Sequence, residues 1–94
     1  MTKNKSMTLK LRATNNPSGK SVYPPGTDAT MRVEDLNALL KEKTKTFLVE
    51  GPLVFIGRNP YRLLSFEANN HKYTAKLRGQ NFSVLQIEFE VIAA

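Results

Sequence analysis

The stretch with the strongest chemical suggestion is Ser18-Gly19-Lys20-Ser21, which has the ending of a phosphate-cradling loop. That pattern requires another glycine five positions before Gly19, where Thr14 stands, and a helix directly after Ser21, where the chain continues instead into Val22-Tyr23-Pro24-Pro25. The stretch reads as a flexible turn whose Lys20 and backbone amides can still touch a phosphate. General acid–base or nucleophilic work has little to build on: there is no cysteine, and the one histidine, His71, follows Asn69-Asn70 in a turn. Glu88 and Glu90 fall on the same face of a strand, about 7 Å apart, but nothing else converges there, so cross-strand ion pairs account for them better than a metal. Asn81-Phe82-Ser83 fits a glycosylation sequon and is set aside, because the chain has no secretory signal pattern. No catalytic set, cofactor or metal site is expected.

Cations interleaved with aromatics are a better lead. Fourteen Lys and Arg face eight Asp and Glu, a net charge of +6. Residues 1–20 carry Lys3, Lys5, Lys10, Arg12 and Lys20 with no acid, and residues 57–78 carry Arg58, Arg62, Lys72, Lys76 and Arg78 against Glu67 alone. Such a field favours an anionic partner. The first reading is a non-catalytic nucleic-acid or nucleoprotein binder that contacts phosphates through Lys10, Arg12, Lys20, Arg58, Arg62, Lys72, Lys76 and Arg78. Strand alternation sends Tyr73 inward, which leaves Tyr61, at a turn, and Tyr23, in a loop, as the exposed aromatics. The alternative is a small adaptor, accessory subunit or inhibitor. It would dock on an acidic protein through the Tyr23-Pro24-Pro25 loop and an exposed strand edge. Phe89-Glu90-Val91-Ile92-Ala93-Ala94 closes the sequence as an apolar strand, and pairing with a second chain into a homodimer is one way to cover it.

The elements that must position these residues form a single α+β domain. Residues 1–6 read as a flexible basic tail. Met7, Leu9, Leu11 and Ala13 alternate with Thr8, Lys10, Arg12 and Thr14, the pattern of a half-buried strand. Residues 15–30 hold a dense set of turn formers and read as one long loop. Val33, Leu36, Leu39 and Leu40 share a helical face over about 33–43, with Glu34 and Asp35 early and Lys41 and Lys43 late, as the helix dipole prefers.

Residues 46–92 then read as antiparallel strands: Thr46–Glu50, Leu53–Arg58, Tyr61–Ala68, Lys72–Arg78 and Phe82–Ile92. They are punctuated at Gly51-Pro52, Asn59-Pro60, Asn69-Asn70 and Gly79–Asn81, with Gly51-Pro52 also readable as a bulge within one longer strand. The expected architecture is an N-terminal strand, a long loop and one short helix packed on a mainly antiparallel four- to six-stranded meander sheet. No apolar run approaches a membrane span, and a cytoplasmic protein is the default expectation.

Overall fold

A computed structural model describes residues 6–92, so the tail lies outside it except for Ser6. The chain forms β1 (Ser6–Asn15), β2 (Asp28–Arg32), α1 (Val33–Glu42), β3 (Thr44–Thr46), β4 (Leu53–Ile56), β5 (Asn59–Asn69), β6 (Lys72–Arg78) and β7 (Val84–Ile92). Every pairing is antiparallel, and β5 bonds to β4 on one edge and to β6 on the other. The expected open meander is therefore a closed barrel, running β1-β2-β4-β5-β6-β7 and back to β1. β3 lies beyond β4 along the same edge of β5. Closure pairs β7 on both sides, with β1 and β6, so the last strand is not an edge.

Period-2 alternation fills the interior with Leu9, Leu11, Ile56, Leu63, Phe66, Leu77 and Ile87, all buried. Phe66, Tyr73 and Phe89 form an aromatic cluster, with Tyr73 stacked 5.5 Å from Phe89, so Tyr73 does turn inward. α1 begins where β2 ends and buries Leu36 and Leu39 against the core. A ten-residue helix is marginal alone, and this packing is what holds it.

Several boundaries depart from expectation. The long loop stops at Thr27, because Ala29 and Met31 turn inward while Asp28 and Arg32 face water, the alternation of a short strand. In β1 the alternation holds to Leu11 and then slips at a bulge between Leu11 and Ala13, which turns Thr14 into the core. The turn expected at Asn59-Pro60 falls at Gly57-Arg58, with φ +62° at Gly57, the first central position of a two-residue hairpin. Pro60 sits inside β5, opposite Phe55. That pair is the non-hydrogen-bonded one next to the turn, so the missing N–H faces the β6 side, where pairing starts only at Arg62. The strand expected over Thr46–Glu50 ends at Thr46, and the alternative of a bulge within one longer strand is the nearer description: Phe47, Gly51 and Pro52 still bond to Leu64 and Leu63 of β5, residues 48–50 bow out, and the chain runs on along the same edge as β4. Phe82 belongs to the β6–β7 hairpin tip, with φ +59°, not to the last strand.

Candidate docking surface

Tyr23 and Tyr61, the two aromatics expected to be exposed, meet each other instead. Their phenol oxygens lie 2.8 Å apart, Asn59 Nδ2 donates to the Tyr23 oxygen at 3.0 Å, and both rings pack against the core at the barrel end opposite α1. Thr14 fixes this arrangement: its Oγ1 donates to the Tyr23 carbonyl at 2.9 Å and accepts from the Tyr23 N–H at 2.6 Å. Burial first, and the hydrogen bond to Tyr23 second, push the Tyr61 hydroxyl above the usual phenol range. These half-buried rings engage each other at a barrel end.

The phosphate-loop look of residues 18–21 also has a local explanation. Asn16 Oδ1 accepts from the Ser18 and Lys20 amides, each at 3.0 Å, and the Gly19 amide bonds to the Asn16 carbonyl. The Ser18, Gly19 and Lys20 amides are thus occupied within the turn.

The eight candidate cations are spread around the barrel. Lys10 and Arg12 lie on β1, Lys20 in the β1–β2 loop, Arg58 in the β4–β5 turn, Arg62 on β5, and Lys72, Lys76 and Arg78 on β6. β1 and β5 are three strands apart in a ring of six, so no single straight groove spans them. Three of the eight are matched by carboxylates: Lys10 with Asp28 at 2.5 Å, Arg12 with Glu90 at 3.3 Å, and Arg78 with Glu50. Exposed pairs of this kind add about 0–1 kcal/mol each, but they do neutralise the field. Of the two carboxylates expected in cross-strand ion pairs, Glu90 has Arg12, whereas Glu88 stands opposite Thr74 and Ala13. Among the described residues, no group of three or more His, Cys, Asp or Glu side chains is placed to hold a metal ion, and no helix is long and apolar enough to cross a membrane.

Large apolar side chains are left exposed on two loops that flank β5. The excursion over 47–52 puts Leu48 fully in solvent and leaves Val49 80% exposed, and across β5 the 79–83 hairpin tip leaves Phe82 74% exposed. The two loops are neighbours because Leu53, Arg62 and Arg78 form one cross-strand row over β4, β5 and β6. Between them is a shallow hollow of about 300 Å³ whose lining includes Leu53, Tyr61, Arg62 and Phe82.

The excursion is braced rather than loose. Phe47 N–H donates to the Leu64 carbonyl at 3.1 Å, Gly51 N–H to the Leu63 carbonyl at 2.9 Å, and Leu63 N–H to the Pro52 carbonyl at 3.0 Å. Phe47 folds back against the core so closely that a Cβ on Gly51 would stand 2.9 Å from its ring. Arg62 and Arg78 face each other directly across β5 and β6, a repulsive placement that Glu50 and the Gly51 carbonyl, 3.3 Å from Arg62 Nη1, offset. The Arg78 guanidinium also lies 5.0 Å from the Phe82 ring centre, a cation–π distance.

Of the residues named from sequence, this surface unites Tyr61, Arg62 and Arg78 and adds Leu48, Val49, Glu50 and Phe82. The signal for the additions was present as a Leu-Val pair just before Gly51-Pro52 and a Phe directly after a turn triplet, but both look like strand ends. Comparison with protein-family models, curated proteins and solved structures gives no match for the chain.

Proposed function

We propose that this chain is a non-catalytic docking barrel that binds an acidic protein surface through the paired loops 47–52 and 79–83. One observation carries the reading: backbone bonds, the Phe47 anchor and two arginine contacts hold Leu48 and Val49 out in water, and the 79–83 tip on the far side of β5 leaves Phe82 exposed as well. Large apolar side chains braced in water on neighbouring loops point to an interaction site. Removing each of these side chains from water contributes up to about 1.5–3 kcal/mol. An exposed ion pair gives about 0–1 kcal/mol, so the apolar tips outweigh the scattered cations as a source of affinity. The arginines set the partner's character: Arg62 is exposed and takes only a carbonyl here, so it suits an incoming carboxylate. A second copy of this chain, itself at +6, is poorly matched to a rim of arginines.

The nucleic-acid reading fits less well. The unmatched cations are dispersed, the two tyrosines are engaged with each other, and Glu50 sits in the middle of the surface. The non-catalytic reading rests on residue types: no cysteine, and a single histidine at a hairpin tip. The test is affinity purification of the tagged chain from its native host. A stoichiometric acidic protein should accompany the wild type and a Lys20→Ala/Lys76→Ala variant, and be lost with Leu48→Ser/Val49→Ser/Phe82→Ser. Co-purification of nucleic acid that disappears with the lysine variant and survives the loop variant would overturn the proposal.

A further inference from the structure

Four non-glycine residues among those described have positive φ, and three of them line one hollow: Lys43 at +67°, Asn70 at +50° and His71 at +70°. The hollow, of about 530 Å³, lies where the C-terminus of α1 meets the β5–β6 hairpin, and Leu40, Ala68 and Tyr73 supply its less polar floor. Both cationic positions are ones where the backbone favours glycine. Lys43 directly follows α1 as its C-cap, with φ +67° and ψ −32°, a backbone region that side chains rarely adopt, and its N–H returns to the Leu39 carbonyl at 2.9 Å. Asn70-His71 is a two-residue turn with φ positive at both centres, the geometry for which Asn-Gly is the usual solution. Asn suits its place; His does not. Left-handed backbone strain held by non-glycine residues is characteristic of functional sites. The two residues that bear it are here the only two on this lining able to carry positive charge, and no carboxylate lines the hollow. Asn70, His71 and Tyr73 also border the neighbouring hollow across the same hairpin, where Glu88 and Glu90 stand with Arg12 and Lys72, so it is the side bearing Lys43 that is free of carboxylates. The α1 C-terminus brings about half a negative charge to this end and Glu42 a full one, and Lys41 and Lys43 together, with Lys45 paired to Glu42, outweigh them.

We propose that the Lys43–Asn70–His71 hollow binds a phosphomonoester. Lys43 neutralises the phosphoryl oxygens, the His71 ring N–H and the Asn70 amide donate to them, and the body of the ligand covers Leu40, Ala68 and Tyr73. The site is independent of the docking loops. A hollow of this size admits a nucleoside monophosphate, whether free or as the phosphorylated end of a strand.

The decisive variants are Lys43→Gly and His71→Gly, because glycine is the residue the backbone prefers at both positions. Each variant should melt at the same or a higher temperature than the wild type while lowering affinity for adenosine 5′-monophosphate at least tenfold by calorimetric titration, with adenosine itself binding neither protein. A 5′-phosphorylated oligonucleotide that binds where its 5′-hydroxyl counterpart does not would place the group on a strand end. Equal binding of adenosine and its monophosphate, equal binding of the two oligonucleotides, no monophosphate binding at millimolar concentration, or glycine variants that bind as the wild type does would each overturn the proposal.

Discussion

Thr14 shows how much a single residue decides in this molecule. In the sequence it continues a wet stripe with Thr8, Lys10 and Arg12; in the fold a bulge after Leu11 turns it inward, where it serves both the N–H and the carbonyl of Tyr23. Alternation reports which face a side chain takes only while the register is unbroken, and a bulge leaves no strong mark in residue types. Thr14→Val keeps the shape and removes both bonds, so chemical denaturation should show a loss of about 1–3 kcal/mol. The tyrosines behind it bring a pH dependence. The Tyr61 hydroxyl is raised by burial and by its bond to Tyr23, so the fold favours the protonated form. Its contribution is fully present below about pH 10, the ordinary phenol value, and is lost as pH rises beyond that towards the raised folded value. Urea midpoints of the wild type should therefore fall above about pH 10, and those of Tyr61→Phe should fall less.

At the scale of elements, the helix was legible because Leu36 and Leu39, early acids and late lysines all agree on it, and the observed Val33–Glu42 differs by one residue at its end. The β6–β7 hairpin was legible for the same reason. The excursion over 47–52 was not, since Phe47-Leu48-Val49 has the composition of a strand and only the tertiary bracing shows that two of the three face water. Gly51→Ala should push the Phe47 ring from its seat and release the loop, seen as faster amide exchange at 47–52 and a stability loss of about 1–3 kcal/mol. Glu50→Gln leaves Arg62 and Arg78 opposed without a carboxylate. The expected cost is up to about 1 kcal/mol, and it should shrink as salt screens the repulsion.

For the whole molecule, composition and patterning announced a basic α+β domain, but not that its sheet closes. A dry face on each strand is required of an open meander covered by a helix and of a barrel alike; only the β5–β6 and β1–β7 pairings together distinguish them. Closure matters for function, because it uses the C-terminal strand edge and distributes the cations around a ring instead of along one sheet face. Binding of generic RNA or DNA oligomers should accordingly be weak at physiological salt, and its log–log salt slope small compared with a protein contacting eight phosphates. A slope near that of eight neutralised phosphates would restore the nucleic-acid reading.

The docking claim is tested most directly by a photo-crosslinking side chain introduced in living host cells in place of Leu48, Phe82 or Lys76, one at a time. The account predicts one discrete protein adduct from positions 48 and 82, unaffected by nuclease, and none from position 76. Adducts confined to position 76 and removed by nuclease would contradict it.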